Sequence, residues 1–244
     1  MDTGESSLSE VIPPQADMIA RDWFYLNTLL QVAGPFESPV RFLDLGAGHG
    51  ASKAIAERVF ESCGLEWTGV DIGDSDEHMG RPGDAPRIDV YDGTDLPYNS
   101  ERFDVIWCKQ VLEHVRNPDA VIAEVARTLR PGGYFIGSVS QLEPYHSRSL
   151  FNWTHYGIRV VFRDHGLTVR ELRPGADGLL LMMRAVFGYK TGLNEFFKQD
   201  SPLQVLLRAL FTSGARGAEG NQETVYRQNM KIAGHIHFLA QKGL

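Results

Sequence analysis

Short apolar runs alternate along the chain with longer stretches in which apolar residues recur at helical spacing. The first run, at residues 40–45, has the length of a buried strand and stops at a glycine cluster, and a helical stretch at 51–63 follows it. Further strands are predicted at residues 66–72, 87–92, 103–108, 134–139, 167–172 and 231–241. Because strands and helices alternate as far as Val139, the pattern predicts an α/β fold with a parallel sheet. The last strand is expected to run antiparallel at the edge of this sheet.

Two segments outside this alternation complete a single predicted domain. Residues 16–33 carry apolar side chains on one helical side, and the stretch at 175–229 is too long for a tight hairpin between the last two strands. This second stretch predicts helices, one of them capped by Ser201 with Pro202 in its first turn. The predicted parts are an N-terminal tail and cap helix at 1–39, a core at 40–174, a helical lid at 175–230 and the last strand at 231–244.

The turn after the first strand reads D-L-G-A-G-H-G at residues 44–50, and its spacing differs from the dinucleotide fingerprint G-x-G-x-x-G. Glycines let the backbone approach a ligand closely, and the helix that follows presents unpaired N–H groups. A carboxylate at Asp44 would repel a pyrophosphate, whereas it suits a ligand that has an ammonium group and no phosphate. The turn therefore disfavours a nicotinamide-dependent dehydrogenase.

The ordered motifs of residues 40–140 resemble those of the class I S-adenosylmethionine-dependent methyltransferases, of the type that acts on small molecules. The matching pieces are the D-x-G-x-G-x-G turn, the acid Asp71 at the end of the second strand, and then D-G-T-D-L-P, F-D-V-I-W, V-L-E-H-V and L-R-P-G-G. The resemblance implies a Rossmann-like seven-stranded sheet with helices on both faces, and an enzyme whose cofactor is S-adenosyl-L-methionine. We expect a small-molecule acceptor, methylated on an oxygen of a sugar or secondary metabolite.

The same resemblance implies a set of cofactor-binding residues at the carboxyl ends of the first four strands. Asp44 would bind the amino group of the cofactor, directly or through water, and Asp71 would accept both ribose hydroxyls. Asp92 would take the exocyclic amine of an adenine that lies against Ile72. The full set is Asp44, Gly46, Ala47, Gly48, Asp71, Ile72, Asp92, Gly93, Lys109 and Gln110, of which the last two would edge the transferring methyl group.

Two histidines are the candidates for a catalytic base, which an oxygen acceptor needs when it is a poor nucleophile. His114 lies one turn past the fourth strand, and His146 belongs to an aromatic and imidazole cluster after the fifth strand. An imidazole suits this role because its ordinary pKa lies near neutral pH. The alternative for His114 is packing at a helix entry, and for the cluster it is aromatic residues that cover the sheet edge.

No metal site is expected, although one similarity keeps metal as an alternative. The small-RNA 3′-terminal methyltransferases hold a metal with E-x-x-E-H and a later histidine, and this chain has Q-V-L-E-H at 110–114 followed by His146. An amide in place of the first carboxylate weakens a site for a hard cation. The alternatives are therefore a metal-assisted nucleotide or RNA O-methyltransferase, and a non-catalytic cofactor-binding partner subunit that would share every motif above.

The charge is divided unevenly between the two halves of the chain. The net charge of −7 argues against general nucleic-acid binding. Residues 1–145 hold 11 Lys/Arg and 24 Asp/Glu, a net of −13, whereas residues 146–244 hold 13 and 7, a net of +6. The basic half favours an anionic acceptor, or one linked to a nucleotide, a carrier protein or a membrane surface. The alternative is that these charged side chains only lie on solvated faces of helices.

The remaining composition bears on location and assembly. Cys63 and Cys108 are the two cysteines, and they are expected to be reduced core thiols and not a disulfide or a metal site. No run of about 18 apolar residues predicts a transmembrane helix, and the acidic N-terminus fits neither a signal nor a transit peptide. We expect a cytoplasmic protein, and a homodimer stays open.

Overall fold

The computed structural model describes residues 6–11, 19–20, 28–32, 36, 39–74, 83, 85–188, 192–212 and 218–244. One seven-stranded sheet has the order β3-β2-β1-β4-β5-β7-β6. The strands are β1 Val40–Leu45, β2 Leu65–Ile72, β3 Ile88–Tyr91, β4 Phe103–Lys109, β5 Leu129–Ser140, β6 Leu167–Pro174 and β7 His235–Lys242. The predicted α/β fold, with a mostly parallel sheet and an antiparallel last strand, is confirmed.

The helix after β1 and helices within 175–230 lie where they were predicted. The last helix continues to Ile232, however, so the predicted start of the last strand at 231 is wrong and this strand begins at His235. Capping side chains set the start of two helices. Asn117 Oδ1 accepts the Ala120 N–H at 3.3 Å at the start of one helix, and Thr154 Oγ1 accepts the Gly157 N–H at 2.9 Å at the next. The helices are α1 Ser52–Val59, α2 Pro118–Thr128, α3 His155–Asp164, α4 Gly178–Phe187, α5 Pro202–Thr212 and α6 Ala218–Ile232, with 3₁₀ helices at Ser6–Val11 and Gly192–Phe197. Most of the cap helix predicted at 16–33 lies outside the described residues.

Two hydrophobic clusters cover the two faces of the sheet. Phe42 packs on one face with Trp107 and Phe60, at ring-centroid distances of 6.1 and 6.4 Å. Leu43 and Ile106, the neighbours of these strand residues, belong to the other cluster. Because successive side chains of a strand point to opposite faces, this alternation requires helices on both sides of the sheet.

The predicted position of the last strand at the sheet's edge is wrong. β7 pairs antiparallel with β5 on one side, where Tyr134 lies level with Gln241, and antiparallel with β6 on the other, where Thr168 also lies level with Gln241. Five successive residues of β7, 236–240, are buried, as expected for a strand inside a sheet. β6 is the edge strand, and its exposed Thr168 and Arg170 suit that position.

Cys108 is buried within β4, as predicted for a core thiol, whereas Cys63 is only half-buried. Within the part of the chain that the structure describes, none of the helices has the length and apolarity needed to cross a membrane. β5 begins at Leu129, five residues before its predicted start, because the R-P-G-G segment is part of the strand.

Candidate functional site

The carboxyl ends of β1 to β4 meet at one edge of the sheet. β1 pairs in parallel with β2 and with β4, so that Leu45 lies level with Val70 and Cys108. β2 pairs in parallel with β3, where Ile72 lies level with Tyr91. The residues that follow these positions therefore share one edge, which is where open α/β sheets bind ligands.

The turn after β1 depends on glycine. Gly46, Gly48 and Gly50 have φ angles of 73°, 52° and 78°, in the left-handed region that favours glycine. A Cβ on Gly46 would also overlap a methyl group of Val111, which lies just past β4. The Gly46 N–H donates to the Val70 carbonyl oxygen at 2.9 Å, so the turn is tied to the next strand. Because the three glycines have no side chains, a ligand at this edge can approach the backbone of the turn closely.

Asp71 closes this turn from the end of β2. Its Oδ2 accepts the Gly48 N–H at 2.9 Å and its Oδ1 accepts the Ile72 N–H at 2.8 Å, while the Ala47 N–H donates to the Val70 carbonyl oxygen at 3.1 Å. The Asp71 side chain is buried. Two backbone N–H groups thus fix the carboxylate, whose oxygens still have lone pairs for hydroxyl donors.

Asp44 lies beneath the turn in a buried polar chain. Its Oδ2 accepts the Ser52 hydroxyl, and Ser52 Oγ accepts the Trp67 indole N–H at 3.3 Å. Burial raises the pKa of Asp44 to about 7; the Ser52 hydrogen bond opposes this rise and the nearby Asp71 charge adds to it. A carboxylate whose charge is disfavoured in this way gains from a cationic neighbour, so the position suits an ammonium group.

The loop after β3 is shaped by Asp92. Its Oδ1 accepts the N–H groups of Asp95 and Thr94, each at 2.8 Å, and these bonds hold the pKa of the exposed carboxyl below its usual range. Gly93 has a φ angle of 88°, and a Cβ placed on it would lie 3.7 Å from Ile72 Cγ2. The structure thus brings the predicted adenine-binding residues side by side, and Asp92 also forms the loop.

β4 ends at the exposed Lys109, after which the backbone turns at Gln110. The φ angle of Gln110 is 54°, which is uncommon for a residue other than glycine. Its side-chain Nε2 donates to Ser138 Oγ at 2.9 Å, and its Oε1 lies 2.9 Å from Ser140 Oγ. The Gln110 side chain is therefore held against β5, next to the predicted acceptor side of the site.

Glu113, His114 and His146 form a cluster beside this edge. One ligand atom from each residue lies within 4.8 Å of the other two, and the two imidazole rings meet edge to face with centroids 5.2 Å apart. Glu113 is fully buried, and burial raises the pKa of its carboxyl; the contact of its Oε1 with Ser140 Oγ, at 3.0 Å, opposes this rise. Its Oε2 has no hydrogen-bond partner among the residues that the structure describes.

Backbone hydrogen bonds fix the loop that carries His146. The Leu150 N–H donates to the Glu113 carbonyl oxygen at 2.7 Å. His146 Nδ1 lies 3.1 Å from the Pro144 carbonyl oxygen. A carbonyl oxygen only accepts, so this contact requires the proton on Nδ1, and the neutral ring then carries its lone pair on Nε2.

Sequence reasoning missed two groups behind this cluster, Glu143 and His235. Glu143 Oε2 lies 2.8 Å from His235 Nε2 and 3.7 Å from His146 Nε2, and it accepts the Ser140 hydroxyl at 2.5 Å. Burial raises the pKa of Glu143, but the hydrogen bond and charge of His235 outweigh it and hold the pKa below its usual range. His235 and His237 share one face of β7, and both side chains are largely buried because β7 lies inside the sheet.

The family described as "Methyltransferase domain" matches residues 20–172, which is more than half of the chain. The chain belongs to this methyltransferase family. The matched segment contains the glycine turn and Asp71, and it extends past His146 into β6. The prediction of an S-adenosylmethionine-dependent enzyme is therefore confirmed.

Individual relatives of the methyltransferase differ in the atom that they methylate. The ubiquinone biosynthesis O-methyltransferase of Shewanella pealeana is 31% identical over 199 residues, which are 74% of this chain and 79% of the relative. The glycine/sarcosine/dimethylglycine N-methyltransferase of Actinopolyspora halophila is 33% identical over 116 residues, which are 44% of this chain and only 20% of that longer protein.

Solved structures agree with the fold. The methyltransferase is similar to phosphoethanolamine N-methyltransferase 2 of Haemonchus contortus, in a complex with phosphomonomethylethanolamine and S-adenosylhomocysteine, at a TM-score of 0.55 and 16% identity. The similarity covers 93% of this chain and 55% of that one. At this identity the comparison shows the fold alone.

The residues present fit S-adenosylmethionine on three counts. The glycine turn leaves backbone close to the site, the fixed Asp71 carboxylate suits a diol, and the buried Asp44 carboxyl suits an ammonium group. The two acids do not suit a pyrophosphate, since their carboxylates would repel it. When bound, this cofactor supplies an electrophilic methyl group on a sulfonium.

Proposed function

We propose that the methyltransferase methylates an oxygen of a small-molecule acceptor, and that the acceptor hydroxyl lies against the His114 and His146 rings. The observation that carries this proposal is the meeting of these two imidazoles beside the edge where β1 and β4 end. Because the methyl donor is already activated, the protein mainly has to position the reactants and remove the acceptor proton. A sugar or secondary metabolite, free or linked to an anionic carrier, provides such a hydroxyl.

The proposed cofactor contacts follow the order of the strand ends. Asp44 would hold the amino group and Asp71 the ribose hydroxyls, with the Gly46 to Gly48 backbone passing beneath them. Ile72 and Gly93 would border the adenine, and Asp92 would accept its exocyclic amine through the oxygen not used in its own loop. Lys109 and Gln110 would border the methyl group, with Gln110 fixed by its two serine contacts.

His146 is the better placed of the two proton acceptors. Its Nδ1 is occupied by the Pro144 carbonyl oxygen, so its Nε2 carries the lone pair of the neutral ring. The Glu143 carboxylate, 3.7 Å from this Nε2, stabilises the imidazolium that forms when the proton is taken. His114 then contacts His146 from the side and orients the acceptor.

Single-turnover kinetics with a panel of hydroxylated acceptors test the proposal. His146→Ala should lower the rate roughly 10²–10⁴-fold while the affinity for S-adenosylhomocysteine stays unchanged. The wild-type rate should fall at acid pH, because only the neutral ring accepts a proton. His165→Ala is the matched control, since His165 pairs with Asp119 on the surface, and it should keep full activity. Normal rates in both His114→Ala and His146→Ala would exclude a histidine base.

A metal-assisted O-methyltransferase is the second candidate, and the geometry of the Glu113, His114 and His146 ligand atoms favours it. Two imidazoles and a carboxylate within 4.8 Å are a ligand set for Mn²⁺, Fe²⁺ or Zn²⁺. In that case the cation and not a histidine would activate the acceptor oxygen. Loss of activity with a chelator, its return with Mn²⁺, and loss of Mn²⁺ binding in Glu113→Gln would establish this alternative in place of the histidine base.

The methylated atom is tested by conversion of S-adenosylmethionine to S-adenosylhomocysteine by the isolated chain, over a panel of hydroxyl and amine acceptors. Turnover with hydroxyls is the expected result. Turnover with amines but not hydroxyls would contradict oxygen as the methylated atom.

A further inference from the structure

Helix α4 presents an apolar stripe to solvent. The exposed residues Leu179, Met182, Met183, Val186 and Phe187 follow helical spacing, so they line one side of the helix. Val186 and Phe187 are 77% and 68% exposed. Leu180 and Leu181 of the same helix are buried, and they pack in a small cluster with Ala176 and with apolar residues of the 3₁₀ helix Gly192–Phe197. The stripe is therefore a second apolar side in addition to the one that the core uses.

Helix α5 has the same property. Its sequence, P-L-Q-V-L-L-R-A-L-F-T, has two charged or amide side chains, Gln204 and Arg208, and Gln204 is the buried one. Val205, Leu206 and Leu210 are each more than half exposed. A helix that is apolar on nearly all sides is normally covered by protein or by lipid. A surface with this many exposed apolar side chains indicates an interaction site.

The two helices begin at one buried junction close to the site. Asp177 Oδ1 accepts the Leu180 N–H at 2.9 Å to cap α4, and its Oδ2 accepts the hydroxyl of Ser201, the residue before α5, at 2.5 Å. A Cβ on Gly178 would overlap Leu142, which follows the carboxyl end of β5. The apolar surface therefore starts at the same edge of the sheet as the cofactor turn and the histidine pair.

The charge of this segment is opposite to that of the rest of the protein. The sequence from 178 to 217 contains five Lys/Arg and two Asp/Glu, a net of +3. Since the whole chain carries −7, the remainder carries −7 − 3 = −10. An apolar, positively charged segment on an acidic protein is attracted to an anionic lipid surface, which also orients the acidic remainder away from it.

We propose that the exposed sides of α4 and α5 dock on an anionic lipid bilayer, and hold the methyl-transfer edge of the sheet next to the membrane surface. A second copy of the chain is the less favoured occupant, because a two-fold interface would bring two positively charged segments together. The apolar side chains enter the boundary between headgroups and acyl chains, while basic side chains such as Lys198 contact lipid phosphate.

Vesicle flotation with the full chain tests this docking. Wild type should float with vesicles of phosphatidylglycerol and phosphatidylcholine, much less with phosphatidylcholine alone, and less at high salt. The Val186→Glu/Phe187→Glu variant should bind the anionic vesicles at least about tenfold more weakly. Leu30→Glu is the matched control, since Leu30 is an exposed leucine outside the lid, and it should bind like wild type.

Three results would overturn the proposal. One is equal flotation of wild type and the Val186→Glu/Phe187→Glu variant, and another is no flotation of wild type with either vesicle. The third is a wild-type dimer that the same substitutions convert into a monomer, without any vesicle binding, since a second copy would then cover the surface. S-adenosylhomocysteine affinity measured on each variant confirms that the fold is intact. None of these readouts depends on methyl transfer, so docking and the proposed reaction fail separately.

Discussion

The buried Asp44 carboxylate lowers the stability of the empty fold, and the proposed contact with the cofactor would offset this effect. Its pKa is raised to about 7 because burial disfavours the ionised carboxylate. For an acid with a raised folded-state pKa, the stabilising contribution belongs to the protonated form, and it is lost as pH rises from the ordinary carboxyl pKa toward 7. At pH 8 the ionised Asp44 therefore destabilises the empty protein, and a bound ammonium group would offset this cost.

We expect Asp44→Asn to raise the free energy of unfolding at pH 8 by roughly 1–3 kcal/mol, at about 1.4 kcal/mol per pKa unit, with little change at pH 4.5. The amide removes the buried charge and keeps an acceptor for the Ser52 hydroxyl. Urea unfolding at the two pH values measures this. Wild-type S-adenosylhomocysteine affinity should fall as pH drops below 7, and calorimetry should find the variant weak at every pH. A variant that binds like wild type would remove Asp44 from the cofactor site.

At the scale of elements, the strands and the parallel pairing of β1 to β4 could be predicted, whereas the position of β7 could not. The runs at β1 to β4 are apolar, short and separated by helical periodicity, so their parallel pairing and the meeting of Asp71 with the glycine turn follow from chain order. The position of β7 depends on its pairing with β5 and β6, which are distant in sequence, and not on a pattern within β7 itself. His235 reaches Glu143 only because β7 lies beside β5, so no pattern within either segment indicated this pair.

The Ser201 cap gives a prediction at this scale. Ser201 Oγ accepts the Gln204 N–H at 3.2 Å, Gln204 Oε1 accepts the Ser201 N–H at 3.0 Å, and the same hydroxyl donates to the buried Asp177. Ser201→Ala should lower the free energy of unfolding by roughly 1–3 kcal/mol, because it removes a cap and takes a partner from a buried carboxylate. Thr154→Ala, which removes only a cap, is the control and should cost about 1 kcal/mol. Equal losses in the two denaturant titrations would mean that the Asp177 contact contributes nothing.

At the scale of the whole molecule, Asp104 joins three strands at the edge opposite the site. It accepts the Arg41 N–H at 2.8 Å, contacts the Arg41 guanidinium at 3.0 Å, and accepts Arg130 Nε at 2.6 Å. Burial raises the pKa of Asp104, but the hydrogen bonds from Arg41 and Arg130 outweigh it and hold the pKa below its usual range. Stability from this carboxylate is therefore present above the ordinary carboxyl pKa and is lost as pH falls through the lower folded-state value.

We expect Asp104→Asn to lower the free energy of unfolding at pH 7 by about 1–3 kcal/mol, as for lost hydrogen bonds to charged groups whose arginine partners are half-buried. The difference from wild type should shrink as pH falls toward 3, because wild type then loses the same charge. Chemical denaturation across this pH range measures both effects. Glu66→Gln, which breaks an exposed pair with Arg102, is the control and should cost less than about 1 kcal/mol. A pH-independent difference would show that packing, and not charge, accounts for the loss.

The insertion of β7 between β5 and β6 also determines when the sheet can be completed during synthesis of the chain. A ribosome completes β5 and β6 well before residue 235. β5 can then pair with β4, but its other edge stays open and β6 has no neighbour until β7 is made, as the pairs of Tyr134 and Thr168 with Gln241 show. A nascent chain that has not reached this strand therefore exposes an open edge on β5 and an unpaired β6, which are templates for association with other chains. Sheet completion must wait for these late residues, and such distant pairing is intrinsically slow. Chains released before residue 235 are therefore expected to aggregate although their glycine turn and Asp71 are complete.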